Sequence, residues 1–151
     1  MATLLIVHHS PSSGMRGLLE AAIAGASADG IEGVRVEVRP ALEATTDDVL
    51  AADGYVLGTP ANLGYMSGAL KHFFDTVYND CLDVTVGRPF GFYVHGATDT
   101  TGAVRSIEMV TTGLQWRPVA DPVSLIGGHD QAGLDEVWNL AATVAATLMD
   151  L

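Results

Sequence analysis

The sequence contains little cysteine and little positive charge. Cys81 is the one cysteine among 151 residues, so an internal disulfide and a cysteine-based metal cluster are excluded. Only 7 Lys and Arg residues stand against 18 Asp and Glu residues, and the formal net charge is −11. Nucleic acid and anionic membranes are therefore unfavourable partners, because both repel such a chain. The same charge suits docking on a basic protein surface.

Long apolar runs are also missing. The run Leu4–Val7 near the N-terminus is far too short for a signal peptide, and nothing approaches the about 20 apolar residues of a membrane span. Apolar residues still make up 48% of the chain and charged residues 17%, which is typical of a globular protein. We expect residues 1–151 to form a single cytoplasmic domain with a buried core.

Five short apolar segments alternate with segments that keep the 3.6-residue period of helices. The predicted strands are Thr3–His8, Arg35–Arg39, Asp53–Leu57, Pro89–His95 and Pro118–Ile126. The second alternates strictly and suits an edge strand, and two prolines confine the last to a short or edge piece. The pattern predicts an α/β fold: a three-layer α/β/α doubly wound arrangement with a five-stranded parallel sheet, for which 2-1-3-4-5 is the common strand order.

Three strand-to-helix connections are small and polar: Ser10–Gly14, Thr59–Gly64 and Gly96–Gly102. Because the carboxyl ends of parallel strands meet at one sheet edge, we expect these loops to lie together. The loop Ser10–Gly14 opens a helix, where free N–H groups and the helix dipole attract anions. The alternative is that its serines only cap the helix.

Several motifs of other α/β proteins are absent. Neither the G-x-x-x-x-G-K-[ST] loop of nucleotide triphosphatases nor the G-x-G-x-x-G dinucleotide fingerprint is present. Cys81 and Arg88 are one residue too far apart for the C-x5-R loop of small phosphatases, and no G-x-S-x-G elbow occurs. No histidine cluster has the spacing of metal ligands, so no metal site is expected.

The segment G-T-P-A-N-L-G-Y-M-S-G-A-L-K-H-F-F-D, which starts at Gly58, resembles a known flavin-binding segment. It is similar to the flavin loop and following helix of flavodoxin-like NAD(P)H-dependent FMN reductases and quinone reductases. Their pattern is G-[ST]-P-x-[YW]-x-x-x-[MP]-[ST]-[AG]-x-[LF]-K-x-[FW]-[FIL]-D. The resemblance implies a flavodoxin-like fold that binds one FMN. Independently of the resemblance, Ser67 is predicted to be the N-cap of the helix in this segment, because its hydroxyl can accept from a free N–H one turn on.

The resemblance also implies which residues bind the cofactor, and it assigns them to three loops. The first loop would hold the phosphate with Ser10, Ser12, Ser13, Gly14 and Met15. The second loop would follow the isoalloxazine ring with Thr59, Pro60, Ala61, Asn62, Leu63 and Gly64. The third loop would address the pyrimidine end of the ring with His95, Gly96, Ala97, Thr98 and Asp99. No catalytic side chain is implied, because the chemistry takes place on the flavin.

Some positions depart from the family pattern or stay open. Where the family often has an aromatic residue this chain has Ala61 and Asn62, and the candidates to replace it are Tyr65, His95 and Trp116. His8 and His9 end the first strand and have either a structural role or a contact with cofactor or substrate. Arg16 either attracts the phosphate or is solvated, and His129 is expected to be an ordinary loop residue.

Three functions are compatible with these residues. The first is a reductase that takes hydride from NADPH or NADH onto FMN and reduces a quinone, a flavin or another acceptor. The second is a flavodoxin-type electron carrier without a nicotinamide site, for which the acidic charge suits docking on a redox protein. The third is a flavodoxin-fold protein that has lost FMN. A homodimer that completes the site is compatible with the first.

Overall fold

The computed structural model describes residues 1–151. Its strands and helices alternate along the chain, as the sequence predicts. In chain order they are β1 (Ala2–His8), α1 (Ser13–Ala26), β2 (Val34–Pro40), α2 (Thr46–Ala51), β3 (Gly54–Asn62), β4 (Tyr65–Met66), α3 (Gly68–Cys81), β5 (Pro89–Gly96), α4 (Thr101–Leu114), β6 (Arg117–Pro118), β7 (Val123–Ile126) and α5 (Gln131–Thr147).

The main sheet is parallel and has the order β2-β1-β3-β5-β6, with β7 also paired to β5. The fifth position is thus shared by two short strands, β6 beside the start of β5 and β7 beside its end. Pro118 and Pro122 explain the interruption, because proline has no N–H to donate to a ladder. The predicted order 2-1-3-4-5 is confirmed once these two pieces are counted as one strand.

Helices cover both faces of the sheet, and each face has its own buried core. On one face α1 and α5 pack on β1, β3 and β5 through a cluster that includes Leu4, Ile6, Leu18, Val56 and Val137. On the other face α3 and α4 contribute to a cluster that includes Leu5, Leu57, Leu70, Phe73 and Ile107. The three-layer α/β/α arrangement follows directly from this division. No helix has both the length and the apolar character needed to cross a bilayer.

Strand β3 is longer than the sequence predicts. It continues past Leu57 to Asn62, and residues up to Pro60 pair with β5. The turn-forming residues there suggested a loop, yet Pro60 lies beyond Gly58, the last residue of β3 paired with β1. Backbone alternation turns the Pro60 nitrogen to that unpaired side, so the missing N–H breaks no ladder bond. The second loop is therefore mostly strand, followed by the tight turn into β4.

Candidate functional site

The first loop leaves free hydrogen-bond donors at the start of α1. The Ser12 hydroxyl caps the helix by accepting from the Met15 N–H at 3.2 Å, and the Ser12 carbonyl accepts from Arg16 N–H at 3.0 Å. The N–H groups of Ser13 and Gly14 donate to no acceptor in the protein. Together with the positive end of the helix dipole, these two groups can bind an anion.

Ser10 has a different partner from its neighbours in the first loop. Its hydroxyl lies 2.9 Å from Nδ1 of His8, the last residue of β1. Burial lowers the pKa of His8, and the neighbouring His9 lowers it further, while Glu43 opposes the shift. A neutral imidazole at the end of β1 thus holds the Ser10 side chain, so His8 supports the first loop.

The second loop is a β-hairpin with a two-residue turn. Ala61 pairs with Met66 and Asn62 with Tyr65, which leaves Leu63 and Gly64 in the turn. Both turn residues have positive φ, 52° for Leu63 and 76° for Gly64, as a tight hairpin turn of this length requires. The Leu63 side chain is fully exposed although it is apolar. The hairpin therefore presents a strained, apolar tip at the carboxyl edge of the sheet.

Thr59 holds the base of this hairpin from inside. Its side chain is completely buried, and its hydroxyl accepts from the Ser67 N–H at 3.0 Å and donates to the Pro60 carbonyl at 2.8 Å. The Ser67 hydroxyl in turn caps α3 by accepting from the Leu70 N–H at 3.2 Å, which confirms the predicted N-cap. Because both hydrogen-bonding capacities of Thr59 are used within the protein, its side chain supports the loop from within.

The third loop begins where β5 ends and lies against the hairpin. A methyl group at Gly96 would lie 3.2 Å from Cβ of Ala61, so the second and third loops are in contact. Asp99 Oδ1 accepts from the N–H of Thr101 at 3.0 Å and from its hydroxyl at 2.8 Å. These two hydrogen bonds lower the pKa of Asp99, and the bond from the Thr101 main chain has the larger effect. Ala97 and Thr98 are exposed residues, and their N–H groups have no acceptor in the protein.

A fourth loop, residues 127–130 between β7 and α5, connects the first loop to the third. A methyl group at Gly14 would lie 3.3 Å from Cε1 of His129, and the rings of His129 and His95 meet edge to face with centroids 5.5 Å apart. His95 Nε2 donates to the Gly127 carbonyl, and Gly127 N–H donates to the Gly96 carbonyl at 2.8 Å. The three predicted loops and the fourth thus share one edge of the sheet.

His129 lies at this edge although it was not assigned to the site from the sequence. The prediction that it is a loop residue is confirmed, and the structure in addition places it beside Gly14 and His95. The available signal was that β7 ends at the same sheet edge as β1, β3 and β5. The loop after β7 must therefore lie near the other loops. The last predicted strand ends at Ile126, as observed, but the loop that follows it was not included among the loops expected at this edge.

Of the three candidates for the missing aromatic residue, one is excluded. Trp116 is buried at the opposite end of the sheet, where it stacks on Tyr55 with ring centroids 4.1 Å apart and donates from Nε1 to the Thr85 hydroxyl at 2.8 Å. Trp116 directly precedes β6, and β6 pairs with the beginning of β5. This pairing keeps Trp116 at that end of the sheet. Tyr65 on the hairpin and His95 on the third loop remain at the carboxyl edge.

The residues present fit an FMN phosphate at the first turn of α1. Gly14 has no side chain to cover the helix end, and a larger residue there would press on His129. The unpaired N–H groups of Ser13 and Gly14 and the exposed hydroxyl of Ser13 are donors of the kind that a phosphate requires. These donors are not accompanied by a carboxylate, so no like charge among them opposes the binding of a phosphate dianion.

The fold places the chain among the flavodoxin-like α/β proteins. An archaeal flavodoxin superposes with a TM-score of 0.77 at 16% identity, and the match covers 97% of this chain and 98% of that chain. A WrbA-like flavodoxin from Agrobacterium tumefaciens gives a TM-score of 0.75 at 16% identity, with 99% of both chains covered.

Comparisons of sequence identify the family of this chain within the flavodoxin-like fold class. The chain is 30% identical over 129 residues to a flavodoxin of Aquifex aeolicus, which covers 68% of this chain and 69% of that protein. It is 30% identical over 83 residues to a probable NAD(P)H dehydrogenase (quinone) FQR1-like 2 of Arabidopsis thaliana, covering 51% of this chain and 30% of that protein. Residues 20–130 match the NADPH-dependent FMN reductase family, and the chain belongs to this flavodoxin-like family of FMN-binding oxidoreductases.

Proposed function

We propose that the protein is an FMN-dependent reductase that takes electrons from NADPH or NADH and passes them to a quinone, a flavin or a similar small acceptor. When bound, FMN supplies the redox chemistry, which is uptake of hydride from the nicotinamide and release of electrons to the acceptor. The contribution of the chain is to bind the cofactor, orient it and leave one side open to small molecules.

The observation that carries this proposal is the set of unpaired donors at the start of α1, at the edge where the other loops meet. In this proposal the N–H groups of Ser13 and Gly14 hold the phosphate. The Ser12 hydroxyl already caps α1, and Ser10 is held by His8, so these two residues shape the loop. Met15 is fully buried and anchors the loop on the sheet.

The ring is assigned to the space between the hairpin and the third loop. The N–H groups of the exposed residues Ala97 and Thr98 are unpaired, and such groups can stabilise negative charge that develops on a reduced flavin. The turn Leu63–Gly64 supplies main-chain groups at the tip of the hairpin, and Tyr65 supplies an aromatic ring that is 41% exposed. No side-chain acid or base is required in this scheme.

A flavodoxin-type electron carrier is the second candidate, and two observations favour it. The relative from Aquifex aeolicus is named a flavodoxin and matches over 69% of its length. The net charge of −11 favours docking on the basic surface of a redox protein. The carrier and the reductase share the cofactor site and differ in whether a nicotinamide can reach the flavin.

Anaerobic titration of the FMN-loaded protein separates these functions. Bleaching of the visible flavin absorption by NADPH or NADH, followed by recovery on addition of a quinone, supports the reductase. Bleaching by a chemical reductant but by neither pyridine nucleotide would leave the carrier. A purified protein that takes up no FMN would overturn both and leave a flavodoxin-fold protein that acts through interactions alone.

A further inference from the structure

His129 has no hydrogen-bonding role in the protein itself. Neither of its ring nitrogens bonds to another residue, in contrast to those of His8 and His95 at the same edge. His8 is paired with Ser10, and His95 donates to the Gly127 carbonyl. The His129 side chain is half-buried, so its nitrogens can be reached by a ligand.

Two glycines fix where the His129 ring lies. A methyl group at Gly14 in the first turn of α1 would lie 3.3 Å from Cε1 of His129. A methyl group at Gly133 in the first turn of α5 would lie 3.2 Å from its Cβ. The imidazole therefore stands between the first turns of two helices and beside Gly14, a residue whose N–H group is unpaired.

His95 restricts the ring from the third side. The two imidazoles meet edge to face at an interplanar angle of 83°, and the hydrogen bond to Gly127 fixes His95 in turn. The position of His129 is thus set by two backbone segments and one aromatic contact. A side chain held in this way loses little conformational entropy when it forms a hydrogen bond with a ligand.

We propose that His129 recognises the terminal phosphate of FMN and donates an imidazole N–H to it beside the first turn of α1. This inference rests on the proposed FMN function. A phosphate has more acceptor sites than the two free N–H groups of Ser13 and Gly14 can fill, and the first loop contains no lysine. A charge-assisted bond from His129 would add a donor that distinguishes FMN from riboflavin, which lacks the phosphate.

The test is a pair of fluorescence titrations, with FMN and with riboflavin, on flavin-free protein. We expect His129→Ala to weaken FMN binding by about tenfold or more, the size of one charge-assisted hydrogen bond, and riboflavin binding by less than about twofold. His129→Gln retains a donor and should lose less than His129→Ala. His72→Ala, the same substitution at an exposed histidine on α3, should bind both flavins like the wild type.

Other outcomes contradict the proposal. Equal weakening of both flavins by His129→Ala would mean that the ring contacts the isoalloxazine or only supports the loop. Unchanged or tighter FMN binding would mean that the imidazole makes no phosphate bond or obstructs the helix end. If the wild-type protein binds neither flavin, the proposed function fails. If it binds FMN and both His129 variants bind equally well, only the role of His129 is overturned.

Discussion

The carbonyl oxygen of Gly64 lies directly against the α-carbon of Gly102, so the hairpin turn and the start of α4 meet backbone to backbone. A methyl group at Gly102 would overlap that oxygen. The Met66 N–H also donates to the Ser106 hydroxyl at 3.2 Å, one turn further along α4. The second loop is therefore held on the helix that follows the third loop, and the geometry of the two loops is coupled.

We expect Gly102→Ala to lower the free energy of unfolding by about 1–3 kcal/mol, because the hairpin must move away from α4. Gly68→Ala is the matched control, since Gly68 opens α3 and has nothing within contact distance of a methyl group. It should be neutral or stabilising, as alanine is in most helices. Urea denaturation of both variants measures the difference. Equal stability of the two would show that Gly64 and Gly102 are not in contact.

Leu63 is a non-glycine residue at a φ of 52° with a fully exposed side chain. The left-handed conformation costs roughly 1–2 kcal/mol for such a residue, so Leu63→Gly should raise the melting temperature. Leu42→Gly is the control, because Leu42 is also exposed but is not among the residues with positive φ. It should lower the melting temperature. A loss of stability in both variants would argue against the tight turn.

We expect substitution by Phe to change the stability of the protein in opposite directions at Tyr55 and Tyr93, the two buried tyrosines of the sheet. The Tyr55 hydroxyl donates to the Val49 carbonyl at 2.7 Å and accepts from Arg88 at 3.1 Å, and burial raises the pKa of Tyr55 to about 12. The Tyr93 hydroxyl lies over Gly58 and has no partner, and burial raises its pKa as well.

Tyr55→Phe should therefore lower the free energy of unfolding by about 1–3 kcal/mol, because it removes the buried hydrogen bonds of the hydroxyl with the Val49 carbonyl and with Arg88. Tyr93→Phe should be neutral or stabilising, because it removes a buried hydroxyl that loses its hydration on folding and gains no hydrogen bond in return. Chemical denaturation of both variants checks the sign. A loss for Tyr93→Phe as large as that for Tyr55→Phe would reveal a partner of the Tyr93 hydroxyl.

His8 predicts a pH dependence of stability. Its pKa in the folded protein lies below the unfolded value of about 6.5 because the ring is buried. The unfolded chain then binds more protons than the folded one between these two values, so stability falls as pH drops below about 6.5 and the loss is complete below the folded pKa. Above about 6.5 the penalty is absent.

His8→Asn should reduce this slope in melting curves recorded across that pH range, relative to the wild type. His72→Asn, at an exposed position, is the control and should keep the slope. An unchanged slope in His8→Asn would mean that His8 is not the group that couples pH to stability.

The overall fold could be predicted because its signals are local and strong. Alternating apolar strands and amphipathic helices dictate a parallel sheet, and the Ser67 cap marks a helix start that the structure confirms. The extent of β3 could not be predicted, because Pro60 is typical of a turn unless the register of β3 against β1 and β5 is known. Pairing between distant segments decided that boundary.

The site was predictable to the extent that it follows from strand ends. The loops after β1, β3 and β5 meet as expected, since parallel strands end at one edge. His129 was not assigned to the site because only the loops after β1, β3 and β5 were expected there from their strand ends, and not the loop after the last strand, although its end at Ile126 was predicted. Trp116 was a wrong candidate: it lies between α4 and the start of the next parallel strand, which puts it at the amino edge of the sheet, where it stacks on Tyr55.

The central claim is that the first turn of α1 holds the phosphate of FMN, and a comparison of two glycine variants tests it most directly. Gly14→Asp places a carboxylate at the free N–H groups, whereas Gly17→Asp places it one turn further along α1, where a methyl group meets nothing. In fluorescence titrations with FMN, we expect Gly14→Asp to weaken binding by more than about tenfold and Gly17→Asp to weaken it far less. Equal affinity of Gly14→Asp and the wild-type protein would contradict the account.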